Sequence, residues 1–372
     1  MRRSLAVCAA ALASTACAPS RGAAYDRAFA QGARAESAGR LDDAVREYDL
    51  AAGVATRARD RDQARWDAVD SLVRAHRIPE ALSRLDRIAG EASSEHAAQA
   101  AYRAASLRVD GDDPARGWRE MELVPRRFPA HGAAHVAVRR LVEHADEGGP
   151  RAGSDELSAL DRDLASTELA PLIAYLSAEH VEELGDPVAA RDAYLRIADR
   201  WPYPFGGFFD DALWRASLLD ERLGQYARAV NDLERMVAAR ETTSLIGTYE
   251  RPKYVPAMLR IGVLWRDRLH DHARAREAFH RLYADFTHST ARDDALWLEA
   301  ALWREEGDAR TACDRLARLV REFPDSRYVP CATAQCSDLA RSKESSAPKE
   351  CHPYLTRQAA QSARWEEGSR AD

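Results

Sequence analysis

The sequence predicts an all-α chain, a solenoid of about eight helix pairs, from three observations. The first is composition: of 372 residues, 46% are apolar and 31% charged, with only 19 glycines and 16 prolines. Alanine, arginine and leucine dominate, all strong helix formers, and so few breakers argue against a β-rich or disordered chain. The second is a duplication. Asp210-Asp211-Ala212-Leu213-Trp214 recurs as Asp293-Asp294-Ala295-Leu296-Trp297, and the same offset of 83 carries Gly224 onto Gly307, Ala229 onto Ala312 and Leu233 onto Leu316. The third is a finer pattern, in which a small residue is followed at +4 and +7 by larger apolar ones.

Taken from the N-terminus, residues 1–16 read as an export signal. Met1-Arg2-Arg3 is a basic start, Leu5 to Ala13 a short apolar run, and Ser14-Thr15-Ala16 a set of small residues before Cys17. The run is too short to span a bilayer as a helix, which needs ~20 apolar residues. Small residues ahead of a cysteine resemble the bacterial lipobox, which implies lipidation of Cys17, although Ser14 stands where leucine is usual. The alternative is ordinary cleavage after Ala18 and a soluble periplasmic protein. Residues 17–23 form a linker, 24–340 the repeat array and 341–372 a polar tail.

Within the array the pattern runs Ala44/Tyr48/Ala51, Ala81/Leu85/Ile88, Gly117/Met121/Val124, Ala190/Tyr194/Ile197, Ala229/Leu233/Met236, Ala275/Phe279/Leu282 and Ala312/Leu316/Leu319. Steps of four and three residues share one helical face. The small residue lets two antiparallel helices approach. Five residues earlier sits a turn, at Gly39, His76, Asp112, Gly185, Gly224, His270 or Gly307, where a left-handed residue can end the preceding helix. Asp113-Pro114 and Asp186-Pro187 pair a capping aspartate with a first-turn proline, and Pro79 marks a third helix start. Phe128-Pro129, Trp201-Pro202 and Phe323-Pro324 each stop a second helix. Successive small residues are 37, 36, 73, 39, 46 and 37 apart. The 73 is two periods, so a worn repeat lies between Gly117 and Ala190, filled by helical patterns near 133–145 and 156–165.

A glycine turn, an alanine, an aromatic or leucine four residues on, and a closing proline resemble the tetratricopeptide repeat. The segment from Asp293 to Ser326 is similar to the periplasmic subgroup that includes the BamD-type assembly lipoprotein and the Tol-Pal-associated coordinator of cell division. The resemblance implies a right-handed superhelix whose concave groove, lined by first helices, takes envelope proteins or peptides. It implies a scaffold on the periplasmic face of the outer membrane, serving outer-membrane assembly or division coordination. A lipoprotein that binds peptidoglycan or another glycan is the alternative. A lytic transglycosylase superhelix is a remoter one, since 341–372 is too short and polar to be its catalytic domain.

Two departures from regularity are candidate contact regions. The stretch Trp201-Pro202-Tyr203-Pro204-Phe205-Gly206-Gly207-Phe208-Phe209 is densely aromatic. Trp201, Phe208 and Phe209 are expected to pack between helices, leaving Tyr203 and Phe205 as possible partner contacts. The interval of 46 implies an insertion of roughly nine residues around Thr242–Pro256, containing Tyr249 as a third candidate.

Cys313, Cys331, Cys336 and Cys351 cluster near the C-terminus, and in an exported chain they suggest two disulfides. Cys331 and Cys336 are too far apart along a helix to pair, which favours Cys313–Cys331 and Cys336–Cys351. Zinc with His352 fits no usual spacing. His131 and His135 lack a third ligand and read as solvated or capping residues, as do His270 and His272. The chain carries no phosphate loop, His-Glu-x-x-His or Gly-x-Ser-x-Gly motif, and Glu182-Glu183 reads as a solvated helix surface. We expect no catalytic residue, no metal and no cofactor. The net charge of −6, with no basic half, gives no footprint for nucleic acid. Arginine far outnumbers lysine, which occurs only as Lys253, Lys343 and Lys349, and reads as base composition.

Overall fold

The computed structural model describes residues 21–239 and 251–340. Every regular element among them is an α-helix. The pairs are α1 (Ala23–Ser37) with α2 (Leu41–Val54), α3 (Ala58–Arg74) with α4 (Ile78–Gly90), α5 (Ala97–Val109) with α6 (Pro114–Arg127), and α7 (Gly132–Asp146) with α8 (Pro150–Leu164). Next come α9 (Ala170–Glu183) with α10 (Pro187–Arg200), α11 (Phe209–Arg222) with α12 (Tyr226–Ala238), α13 (Tyr254–Asp267) with α14 (His272–Asp285), and α15 (Arg292–Glu305) with α16 (Ala309–Glu322). A short α17 (Val329–Gln335) closes the series. The chain divides into two compact units at His180/Val181, within α9.

The pairs form for the reasons the pattern gives. All members of the seven small/+4/+7 sets are buried. Asp113, Asp186, Asp271 and Asp308 each accept a hydrogen bond from the backbone N–H three residues on, satisfying a donor the helix start would leave orphaned. The expected left-handed residue is found at Gly39, His76, Gly185, Gly224, His270 and Gly307. Asp112 is the exception, and its turn closes without a positive φ. Phe128, Trp201 and Phe323 occupy the C-cap positions ahead of their prolines.

In the first unit, the worn repeat is α7 and α8, and it does carry the pattern. Gly153, Leu157 and Leu160 are buried on α8 in the small/+4/+7 positions. Glycine is required there because His180 Nε2 lies 2.9 Å from Asp146 Oδ1, and a Cβ on Gly153 would overlap that carboxylate. Equivalent helices of successive pairs are also tied by arginine–carboxylate pairs about one repeat apart. Arg74 reaches Glu36 at 2.6 Å, Arg77 reaches Asp42 at 2.7 Å, and Arg84 grips both oxygens of Asp49 at 2.6 and 3.0 Å.

In the second unit the same ladder continues, with Arg235–Asp199 at 2.8 Å and Arg281–Glu234 at 3.0 Å. Whatever set the arginine excess, the forked grip on Asp49 is one that a lysine could not make. The duplicated acidic pair begins the first helix in both copies. In one copy Asp210 pairs with Arg251 and Asp211 with Lys253; in the other Asp293 accepts from Ser326, and Asp294 pairs with Arg327 and accepts from Tyr328. The insertion falls between α12 and α13, where the interval of 46 places it.

The cysteine pairing differs from expectation. Cys313 is bonded to Cys336, with Cα atoms 5.8 Å apart, not to Cys331, so the Cys336–Cys351 pair is excluded as well. The reason is register. After the turn at 323–328, α17 doubles back along α16, so residues at similar distances on either side of the turn meet. Cys336 lies about as far after it as Cys313 lies before it, whereas Cys331 sits too near. Cys331 is itself disulfide-bonded. The export signal, Cys17, Tyr249, Cys351 and the tail from 341 lie outside the described residues. No described helix is long and apolar enough to cross a membrane.

Candidate contact site

The connection between α10 and α11 is the aromatic stretch, and its backbone is closely specified. The N–H groups of Phe205 and Gly206 both donate to the Pro202 carbonyl, at 3.2 and 3.0 Å, and Phe209 N donates to Gly206 O at 3.3 Å. Gly206 is buried against the Trp201 carbonyl so closely that any Cβ there would collide with it. The Tyr203–Pro204 peptide is cis. At the apex stands Phe205, 95% exposed. A phenyl ring this free of contact is unusual on a folded surface, and the fixed turn presents it at little entropic cost.

The other aromatics are held around the base. Phe209 is buried at 4% exposure, with the Arg235 guanidinium 5.6 Å from its ring centre. Trp201, Tyr203 and Phe208 are half-buried. Arg200 lies 4.5 Å over Trp201 and Arg251 4.8 Å over Tyr203. Of the three residues expected to pack between helices, Phe209 alone does so fully. Of the two left open, Phe205 is free and Tyr203 is engaged. The carboxylates nearest the turn are paired: Asp199 with Arg235 at 2.8 Å, Asp210 with Arg251 at 2.6 Å, and Asp211 with Lys253. Burial pushes the Asp210 carboxyl above the usual range, against the pull of Arg251.

Among the described residues no group of three or more His, Cys, Asp or Glu side chains is placed to hold a metal ion. His131 is a cap, its Nδ1 accepting from Ala133 N at 3.0 Å. One polar cluster escapes the sequence reading. Arg191 NH1 donates to Asp220 Oδ1 and to Gln225 Oε1, both at 3.0 Å, and Arg191 grips Asp192 as well. Asp220 and Asp232 are 1% and 6% exposed, and Oδ2 of each has no hydrogen-bond partner. Burial, with Asp220 beside it, raises the Asp232 carboxyl to about 7. The signal was present, since Leu213, Ala216 and Asp220 lie on one helical stripe. Nothing in the spacing says which cation answers it.

The fold is that of tetratricopeptide helix pairs. Residues 294–326 match the tetratricopeptide repeat family model, which is α15, α16 and the turn after them, the second copy of the duplication. No curated protein matches the chain. Similar solved structures include MamA (from residue 41) of Desulfovibrio magneticus RS-1, at 17% identity and TM-score 0.33, covering 50% of this chain and 93% of that one. PilF of Pseudomonas aeruginosa is similar at 15% identity and TM-score 0.36, covering 65% of this chain and 98% of that one. The TPR2AB domain of yeast Sti1, in complex with a pHSP90, is similar at 13% identity and TM-score 0.27, covering 75% and 98%.

Proposed function

We propose that this chain is a non-enzymatic scaffold that holds partner proteins in a bacterial envelope complex, on the periplasmic face of the outer membrane and anchored through a lipid on Cys17. The observation that carries the reading is the array itself. Helix pairs repeat at near-constant spacing, one of them matches the tetratricopeptide repeat, and such stacks present extended surfaces suited to peptides and protein domains. On α11 and α13, Trp214, Leu259 and Val263 are left half-buried, apolar area available to a partner. The Cys313–Cys336 disulfide supports an exported address, because such bonds persist in oxidising compartments. Outer-membrane assembly and coordination of wall synthesis with division are the processes such a scaffold would serve.

The test is cross-linking in cells followed by affinity purification from detergent-solubilised envelopes. A specific envelope protein should be recovered. Recovery of none, together with retention on purified wall sacculi, would replace the scaffold reading with a glycan-binding one. Acyl labelling should be lost in Cys17→Ser; labelling that persists would remove the anchor from Cys17.

A further inference from the structure

The turn at 201–209 has features that the scaffold role does not require. Nine consecutive residues carry no charge, and the apex ring is almost wholly free of protein contact. Two of the residues around the apex are prolines with no N–H to donate. The N–H groups of Phe205 and Gly206 are already spent on the Pro202 carbonyl. Unpaired backbone donors are what make irregular chain costly in hydrocarbon, and here the two at the apex are satisfied internally. The charges around the turn are also sorted. Asp199, Asp210 and Asp211 are each held by a cation. Arg196 and Arg200, four apart near the end of α10, are exposed, and no carboxylate among the described residues is within ion-pair distance of either.

We infer that the apex of this turn inserts Phe205 into the interfacial region of an anionic lipid bilayer, with Arg196 and Arg200 meeting the headgroups. An aromatic ring at the tip, half-exposed Trp201 and Tyr203 behind it, and unpaired arginines at the base match the layering of a membrane interface, apolar inside and cationic at the phosphates. A protein pocket would also accept a phenyl ring, but the exposed arginines without carboxylate partners beside it favour an anionic surface. Such a wedge is weak alone and acts as a second membrane signal beside a lipid anchor.

The experiment uses the full mature chain with Cys17→Ser, so that no acyl chain contributes. It is mixed with vesicles of phosphatidylcholine alone, or of phosphatidylcholine with phosphatidylglycerol. The protein should sediment with the anionic vesicles, and Phe205→Ala should lower partitioning about fivefold or more. Arg196→Glu with Arg200→Glu should weaken binding to the anionic vesicles, and added salt should do the same. Phe205→Trp should gain fluorescence quenching by brominated acyl chains over the parent. Absence of vesicle binding, or equal binding by Phe205→Ala, overturns the inference. A protein photo-cross-linked at position 205 in cells, without vesicle binding, would give the turn a protein occupant and leave the scaffold role standing. Vesicle binding with no recoverable protein partner would do the reverse.

Discussion

Asp232 shows what one buried carboxyl does to the energetics of a repeat. Its folded value of about 7 lies above that of an unfolded aspartate, so between roughly pH 4 and 7 the folded chain binds the extra proton. Its contribution is therefore most favourable below pH 4, declines as pH rises through 7, and is then constant. Asp67, raised to about 6 mainly by burial, acts in the same direction. Asp232→Asn should flatten this part of the slope, and should gain stability on the order of 1 kcal/mol or more at pH 8 while gaining little at pH 4. Urea melts at the two pH values check it; a parallel loss at both would mean that the carboxyl is held by something other than its proton. His76 and His270 make a second case. Both have a left-handed backbone, φ 56° and 54°, which glycine adopts without a Cβ penalty. His76→Gly should stabilise by roughly 0.5–1 kcal/mol in thermal melts, since position 76 sits where four other turns already use glycine. The need for a left-handed residue was legible from spacing alone. The raised Asp232 carboxyl beside Asp220 was not, because it depends on three helices meeting.

Helix boundaries were the most legible elements, because aspartate caps, first-turn prolines and closing aromatic–proline pairs act locally. The fourth pair was hidden by its own chemistry: glycine stands at 153, where most pairs have alanine, to leave room for Asp146 and His180. Pairing of the cysteines failed for a different reason. Distance along one helix excludes Cys331–Cys336, but choosing among the remainder requires counting from the turn that folds α17 onto α16. The disulfide closes a loop of sequence separation 23, which by chain entropy alone is worth about 3 kcal/mol. Cys313→Ser with Cys336→Ser should therefore loosen α17 locally. Hydrogen exchange over 329–335 should accelerate while α1 to α4 are unchanged. Unchanged protection at α17 would show that its remaining ties, Tyr328 stacked on Trp297 with ring centres 4.9 Å apart and the disulfide at Cys331, suffice to hold it.

At the scale of the molecule, the all-helical repeat array was legible and the surface was not. Periodicity reports which faces are buried, so the core residues could be named from the sequence. An aperiodic turn carries no such signal, and Phe205 and Tyr203 could be separated only by seeing which one a guanidinium covers. The arginine ladder was invisible for the same reason, because its partners lie 35 to 47 residues apart. Exposed pairs of this kind each contribute at most about 1 kcal/mol and are screened by salt. Raising ionic strength to about 1 M, where the Debye length is only ~3 Å, should lower the melting temperature by a few degrees at most; a large drop would mean that the ladder is a principal support. The duplication has one more consequence, for fidelity during folding. Two segments of one chain that share a motif and a period invite a collapsed intermediate in which α11 and α12 take the place of α15 and α16. Their acidic pairs are alike, but the answering groups are not: Arg251 and Lys253 in one copy, Ser326, Arg327 and Tyr328 in the other. Those unlike partners act as an address label for each copy. Erasing the difference with Arg251→Ser and Lys253→Arg should cut the yield of correctly refolded monomer more than either change cuts its stability once folded.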